Sequence, residues 1–515
     1  MAKKDLERGL VTRGDLLKGA AALGLTALLG GNALEEALAM QQPATPRKRP
    51  NLLFVFSDQQ SWDMLGCAGN EQIQTPNLDR FASQGVHFNH CVSASCVCTP
   101  FRGMLFSGQH CLYNGAWFND IEMLPSQHGE YLAEVIRDAG YKMGYVGKWH
   151  LLGGDRYRPI PAGPLRYGFD GLFLSNNCTV DFRPGYAYYW NEAGEKVLFD
   201  EWEVYGQTRQ ALSFLDECDG EEPFCLFVSW HPPHDNVEGY GAPQELLDLY
   251  DPATLKLRPN AEDMPKRRSN YQGHMAMCTG VDQAFGWLMD KLEEKGLADN
   301  TVVIFTSDHG DTLGSCGRPW PKGFPEDESV RVPLIARWPG HLQAGRESDL
   351  LVGTLDLMPT LLGLMDLPIP ATCQGTDLSG AILGGHDDAV NSVPLFMPYM
   401  MQGWRGVYTH RFTYTFDEGI DQPIRFATLF DRKQDPHQQH NLFGDVEHAS
   451  LQARLHKESL KWMVRFEDRF VPGAELINAC FGEAGLPKAG PPHRGTLPGR
   501  PIDLIRNLPG LVDFG

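Results

Sequence analysis

A chain of 515 residues exceeds what one hydrophobic core usually organises, so one large and one smaller domain are expected. Its formal net charge of −20 argues against nucleic acid as a partner and against a general electrostatic hold on polyanions. With 42% hydrophobic and 21% charged residues, the composition is that of an ordinary soluble globular enzyme.

Residues 1–39 read as an export signal. Lys3, Lys4, Arg8, Arg13 and Lys18 precede the apolar run Ala20 to Gly30, which is too short to span a bilayer. Ala37-Leu38-Ala39 offers a small-residue cleavage site before Met40. Thr12-Arg13-Gly14-Asp15-Leu16-Leu17-Lys18 is similar to a twin-arginine signal with Gly14 in place of the second arginine. The expected location is a bacterial periplasm, and no other stretch is long and apolar enough to span a membrane.

Residues 40–50 form a linker rich in Pro, Arg and Lys. Asn51 to Phe56 is then a continuous apolar run, the pattern of a strand buried on both faces, and it ends in Ser57-Asp58-Gln59-Gln60. Thr75-Pro76 predicts a capped short helix stopped by Gly85. A second helix is expected over 129–139. Phe224 to Ser229 is another buried strand, ending in Trp230-His231-Pro232-Pro233-His234-Asp235. A long helix follows near 270–296. Thr301 to Thr306 is a third strand, ending in Ser307-Asp308-His309-Gly310-Asp311, and Val332 to Ala336 is a fourth. Strands alternating with helices predict an α/β fold with a mostly parallel sheet sandwiched by helices. From about 386 the pattern changes to short antiparallel strands at Gly406-Tyr408, Phe412-Tyr414 and Thr428-Phe430, with a helix near 448–466. The expected division is a catalytic domain over 51–385 and a smaller α+β C-terminal subdomain over 386–515, whose Pro/Gly-rich tail begins at Gly482.

The stretch Ser95 to Gly108 carries the sharpest chemical signal. It sets Cys98, Pro100 and Arg102 at i, i+2 and i+4 and then turns apolar. Proline suits the first turn of a helix, which places Cys98 at a loop-to-helix junction. There it faces unpaired backbone N–H groups and the positive end of the helix dipole, a setting that favours an anionic ligand. Cys91, Cys96 and Cys98 also suggest metal or disulfide chemistry, but no His or Cys partner follows at the spacing of a zinc site. The twelve cysteines are scattered without a tight framework, and several lie in apolar segments as buried thiols would.

In open α/β sheets ligands gather at the carboxyl ends of strands. Asp58, Gln59, Asp308 and His309, each just past a buried strand, can therefore form one cation site. Oxygen donors suit Ca²⁺ or Mg²⁺, and a mixed oxygen and nitrogen set also admits Mn²⁺ or Zn²⁺. Lys148, His150, His234 and Lys322 supply positive charge and proton-transfer groups. His231 competes with His234, and Asp235 and Asn236 either contact substrate or make a turn. Arg318 and Trp320 are further pocket candidates.

At these residues the chain resembles the type I sulfatases, whose fold is alkaline-phosphatase-like. The family's C-x-P-S-R is matched by Cys98, Pro100 and Arg102, with Phe101 at the serine position. Its metal pair after the first strand matches Asp58-Gln59, its G-K-W-H matches Gly147 to His150, and its P-H pair matches Pro233-His234. Its S-D-[NH]-G matches Ser307 to Gly310, and its downstream lysine matches Lys322. The likeness spans most of residues 48–445, including later motifs at Thr354 to Thr360, Leu429-Phe430-Asp431 and Asn441-Leu442.

The resemblance implies hydrolysis of a sulfate ester, of a sulfated carbohydrate or a small alcohol. It implies that Cys98 is converted to formylglycine by a maturase, and that one divalent metal, Ca²⁺ before Mg²⁺ or Mn²⁺, is held by Asp58, Gln59, Asp308, His309 and residue 98. Arg102, Lys148 and His150 would hold the aldehyde hydrate, whose hydroxyl attacks sulfur. Lys148 and Lys322 would stabilise sulfuryl charge, His234 would protonate the leaving alcohol, and His150 would help release sulfate. The Asp-Gln and Asp-His pairs also resemble those of phosphonate monoester hydrolases, so phosphonate or phosphodiester hydrolysis is the alternative. A binding homologue with unconverted Cys98 is the non-enzymatic one. Specificity is expected from the 155–220 insert, with Tyr186, Tyr188, Tyr189 and Trp190 available to stack on a sugar, and from the C-terminal subdomain.

Overall fold

The computed structural model describes residues 48–126, 129–400, 403–417, 424–486, 495–506 and 508. The expected export signal, linker residues 40–47 and much of the tail after Gly482 lie outside the described residues.

The central sheet is built from β1 (Asn51–Asp58), β2 (Val86–Val92), β3 (Lys142–Lys148), β4 (Leu172–Asn176), β5 (Tyr188–Trp190), β6 (Lys196–Leu198), β7 (Phe224–Pro233), β8 (Thr301–Ser307), β9 (Arg331–Val332), β10 (Leu334–Arg337) and β11 (Arg346–Gly353). Their order is β11-β2-β10-β8-β1-β7-β3-β4-β5-β6, with β9 paired to β2. The centre, β8-β1-β7-β3-β4, is parallel throughout. β10 and the β5-β6 hairpin run antiparallel, so the sheet is mixed at its flanks.

β1 shows why these strands read as unbroken apolar runs. Leu52, Phe54 and Phe56 enter one core while Leu53 and Val55 enter another on the opposite face. The pleat alternates side chains, so a strand covered on both faces has no polar side to show. The covering helices include α1 (Pro76–Gln84), α2 (Cys98–Ser107), α3 (Leu132–Asp138), α4 (Glu203–Asp216), α5 (Pro265–Glu294) and α6 (Thr354–Leu364). Thr75 does not cap α1 with its side chain. Its hydroxyl instead accepts from Gly66 N at 2.8 Å and donates to Asp79 Oδ1 at 3.1 Å, tying the helix start to the preceding turn.

A second, antiparallel sheet follows, of β12 (Ser392–Met397), β13 (Trp404–Thr409), β14 (Phe412–Phe416) and β15 (Thr428–Asp431). Helix α7 (Ala449–Arg465) covers one face, with Leu455 packing on Val407, Tyr414 and Leu429. The other face shares a core with Cys96, Val97 and Phe324, so this sheet backs the segments that carry Cys98 and Lys322. No helix among the described residues is long and apolar enough to cross a membrane.

Gly147 lets β3 reach the site. Its φ is +125°, and a Cβ there would lie 2.0 Å from the Ser229 carbonyl oxygen of β7. Gly147→Ala is expected to lower stability, the backbone conformation alone costing about 1–3 kcal/mol. A urea titration checks this, and an unchanged midpoint would show that β3 and β7 can separate without strain.

Candidate active site

The parallel register gathers the polar strand ends. Ser57 pairs with Ser307, so Asp58 and Asp308 emerge side by side from β1 and β8. Lys148 closes β3, and His234 follows β7, on the other side of β1. Cys98 opens α2, with Val97 at its N-cap in extended backbone. Folding thus brings Cys98, Asp58, Lys148, Asp308, His309, His234 and Lys322 together.

Cys98 Sγ is the focus. Lys148 Nζ, Lys322 Nζ and His309 Nε2 each lie 3.3 Å from it, and Asp58 Oδ1 lies at 3.7 Å. Burial would push the thiol up, but Lys148 and Lys322, with His309, outweigh it and hold Cys98 well below the usual thiol range. Behind it, Lys148 Nζ donates to Asp58 Oδ2 at 2.6 Å. Arg102 is fully buried and donates to Asp58 Oδ2 at 3.1 Å, Asp308 Oδ2 at 3.3 Å, Ser229 Oγ at 2.7 Å and the Lys148 carbonyl at 2.7 Å. Its place is to bind the two carboxylates together. Phe101 is a core residue facing Phe56 across 6.4 Å.

Asp58, Cys98, Asp308 and His309 form a buried group whose ligand atoms all lie within 4.8 Å of one another, a set that could hold a metal ion. His309 Nδ1 faces the Gly310 carbonyl at 3.0 Å, which turns Nε2 inward. Gln59 adds a second test of fit. Its Oε1 is buried without a hydrogen-bond partner among the described residues, the condition of a carbonyl oxygen that serves a cation. A hard divalent cation matches this oxygen-rich donor set.

His234 is half-buried. Its Nδ1 lies 2.6 Å from the Asp235 carbonyl oxygen, an acceptor only, so Nδ1 carries hydrogen and Nε2 faces Lys322 Nζ at 2.9 Å. His231 is instead spent in the interior: Nδ1 meets Glu203 Oε1 at 2.7 Å, and Tyr189 donates to the same oxygen at 2.7 Å.

His150 has φ 55°, and its Nε2 lies 3.3 Å from Asp120 Oδ1. Asp120 also accepts two hydrogen bonds of 2.7 Å from Arg156. Sequence reasoning missed Asp120, which sits in a loop without periodicity; a conformational signal exists only in its positive φ of 63°. Ser229, which orients Arg102, was likewise missed.

Several other candidates have structural partners. Arg318 is paired with Glu326 through Nε at 3.0 Å, and Trp320 packs on Phe324. Tyr189 is buried, so of the four insert aromatics only Tyr186, Tyr188 and Trp190 reach solvent. The insert also supplies β4 and α4 to the scaffold. Asn177, a formal glycosylation acceptor, is buried and donates to the Leu152 carbonyl at 2.6 Å. All twelve cysteines are unpaired and nine are buried.

The sulfatase family model matches residues 50–367. The model of the N-sulphoglucosamine sulphohydrolase C-terminal region matches residues 318–464. An ulvan-active sulfatase of Formosa agariphila is 34% identical over 442 residues, 84% of each chain. An endo-4-O-sulfatase of Bacteroides thetaiotaomicron is 28% identical over 495 residues, 84% of this chain and 95% of the other. The crystal structure of a Bacteroides fragilis candidate sulfatase, yidJ, is 30% identical and superposes with a TM-score of 0.75 over 84% of this chain and 98% of that one.

Proposed function

The chain belongs to the sulfatase family and hydrolyses sulfuric esters, and from that premise we propose that Cys98, matured to formylglycine, is its nucleophile and a sulfated glycan its substrate. The observation that carries this reading is the convergence of Lys148, Lys322 and His309 on Cys98 Sγ, each at 3.3 Å. Formylglycine at position 98 supplies, as its hydrate, an oxygen nucleophile for sulfur. A divalent cation, Ca²⁺ by its oxygen-rich donors, would be held by Asp58, Gln59, Asp308 and His309 and supplies Lewis-acid stabilisation when bound.

The remaining work falls to the chain's own groups. Lys148 and Lys322 bracket position 98 with fixed positive charge, ready for the sulfuryl oxygens before any charge develops. Asp120, itself gripped by Arg156, holds His150. His234, with Nδ1 anchored on the Asp235 carbonyl, presents Nε2 where Lys322 also points, and a proton there serves the leaving alcohol. His234→Ala is expected to slow an alkyl or sugar sulfate by about 10²–10⁴-fold and an activated aryl sulfate far less, since only the poor leaving group needs the proton. Comparing kcat/KM for a sulfated sugar and 4-nitrophenyl sulfate checks it; equal losses would remove His234 from the acid role.

The glycan assignment draws on the names of the relatives, an ulvan-active sulfatase and an endo-4-O-sulfatase. A panel of sulfated oligosaccharides, phosphodiesters and phosphonate monoesters tests it through release of sulfate or phosphorus products. Turnover greater on phosphorus than on sulfur would overturn it. Export to the periplasm rests on the basic-then-apolar pattern of residues 1–39, and maturation on an encounter with a formylglycine-generating enzyme. The division near 385 is supported by the start of the second sheet at Ser392.

A further inference from the structure

We infer that Asp311 and Asp235 are positioning residues that lock the Gln59 amide so that its carbonyl oxygen, and not its nitrogen, is presented to the metal cluster. The inference rests on the metal reading above.

Gln59 Nε2 donates to Asp311 Oδ2 at 2.8 Å and to Asp235 Oδ1 at 3.1 Å. A primary amide has two N–H bonds, and here each has a carboxylate oxygen to meet. The flipped amide would press its own oxygen against two carboxylates, acceptor on acceptor. The chemistry of the neighbours therefore settles which end is which. The opposite end, Oε1, is the buried atom without a hydrogen-bond partner among the described residues.

The lock is itself anchored. Asp311 is fully buried, and its Oδ2 also accepts from Tyr240 at 2.8 Å while Oδ1 accepts from Leu313 N at 2.7 Å. Its own N–H donates to Ser61 Oγ at 2.9 Å. On the metal side, Gln59 has a left-handed φ of 70° and its N–H donates to Asp308 Oδ1 at 3.1 Å. Backbone and side chain are both pinned, one to a metal-site carboxylate and the other to two outer ones. The arrangement also accounts for a neutral ligand at position 59. A carboxylate there would face Asp235 and Asp311 as a third negative group. Asp235 has a second contact, its Oδ1 lying 3.2 Å from His234 Nδ1, so one carboxylate touches both a metal donor and the proposed acid.

Calorimetric titration of chelator-stripped full-length protein with Ca²⁺, and of the same samples with Mn²⁺ followed by electron paramagnetic resonance, tests the inference. Asp235→Ala and Asp311→Ala are expected to weaken the cation by about 10–100-fold, the usual cost of losing an outer-shell partner. Asp235→Asn keeps a carbonyl acceptor for Nε2 and is expected to recover most of that affinity. Asp311 is buried, so its variant is compared only if its thermal melt matches the wild type. Asp235 is on a half-exposed loop and keeps the test decisive. Asp308→Asn is the reference. If it binds cation as the wild type does, the metal reading itself fails. If it loses the cation while Asp235→Ala and any folded Asp311→Ala keep wild-type affinity, the positioning inference alone is overturned.

Discussion

Cys98→Ala is expected to lose sulfate ester hydrolysis by on the order of 10⁴–10⁶-fold, as when a covalent nucleophile is removed from a site whose other parts remain. The substitution deletes one buried sulfur atom and leaves Lys148, Lys322 and His309 in place around it. Those groups still bind anions, so substrate affinity should change far less than turnover. Cys98→Ser is expected to be equally inactive, because a serine hydroxyl lacks the thiol that the proposed maturation would consume. The peptide Phe81 to Arg102 reports the chemistry directly: in active protein its mass should show residue 98 as an aldehyde or hydrate. Unconverted Cys98 would betray itself by alkylation of its thiol in the denatured protein, which an aldehyde at position 98 would not show. Full activity in Cys98→Ala would move the nucleophile elsewhere.

What could be read from the sequence was whatever the physics concentrates in one short stretch. β1, β7 and β8 are legible because burial on both faces gives each a continuous apolar run, and the polar residues that follow the run, inside the strand in β7, are then conspicuous. β2, as Val-His-Phe-Asn-His-Cys-Val, and β11, as Arg-Glu-Ser-Asp-Leu-Leu-Val-Gly, were not seen. They lie away from the sheet centre, where partial exposure tolerates imidazole and charge. β4 is hidden in a segment rich in Gly, Asn and Arg, so the 155–220 insert is partly scaffold. The site divides in the same way. Asp58-Gln59 and Asp308-His309 announce themselves by following strands. Asp120 does not, because its partner His150 lies 30 residues away and nothing local marks the pair. The part of Asp311 in the site appears only when β1 and β8 come together and set it against Gln59.

Asp58→Ala is expected to damage the fold as well as the chemistry, and to do so more than Asp308→Asn. Asp58 Oδ2 accepts from Lys148 Nζ at 2.6 Å and from Arg102 at 3.1 Å, and all three side chains are fully buried. Burial and the Cys98 charge push the Asp58 carboxyl up, yet Lys148, His234 and Lys322 outweigh them and hold it well below the usual range. Asp308 is in the opposite condition, pushed up to about 6 by burial and then by the charge on Asp58. Removing Asp58 therefore strands Lys148 in the interior and leaves Arg102 with Asp308 as its one carboxylate partner. Breaking one partner of a buried pair costs about 3–5 kcal/mol. A depressed carboxyl stabilises the fold above its unfolded value and loses that contribution only as pH falls through its folded value. The deficit in Asp58→Ala should therefore be full at neutral pH and shrink in strong acid. Urea titrations at two pH values measure it, and turnover in excess Ca²⁺ measures the chemistry. Excess cation should restore neither, because the missing carboxylate neutralises Lys148 and Arg102 besides facing the metal position. If Asp58→Ala unfolds at the wild-type urea concentration, water or another anion must be satisfying Lys148 and Arg102, and the buried charge cluster would owe its geometry to the cation and not to Asp58.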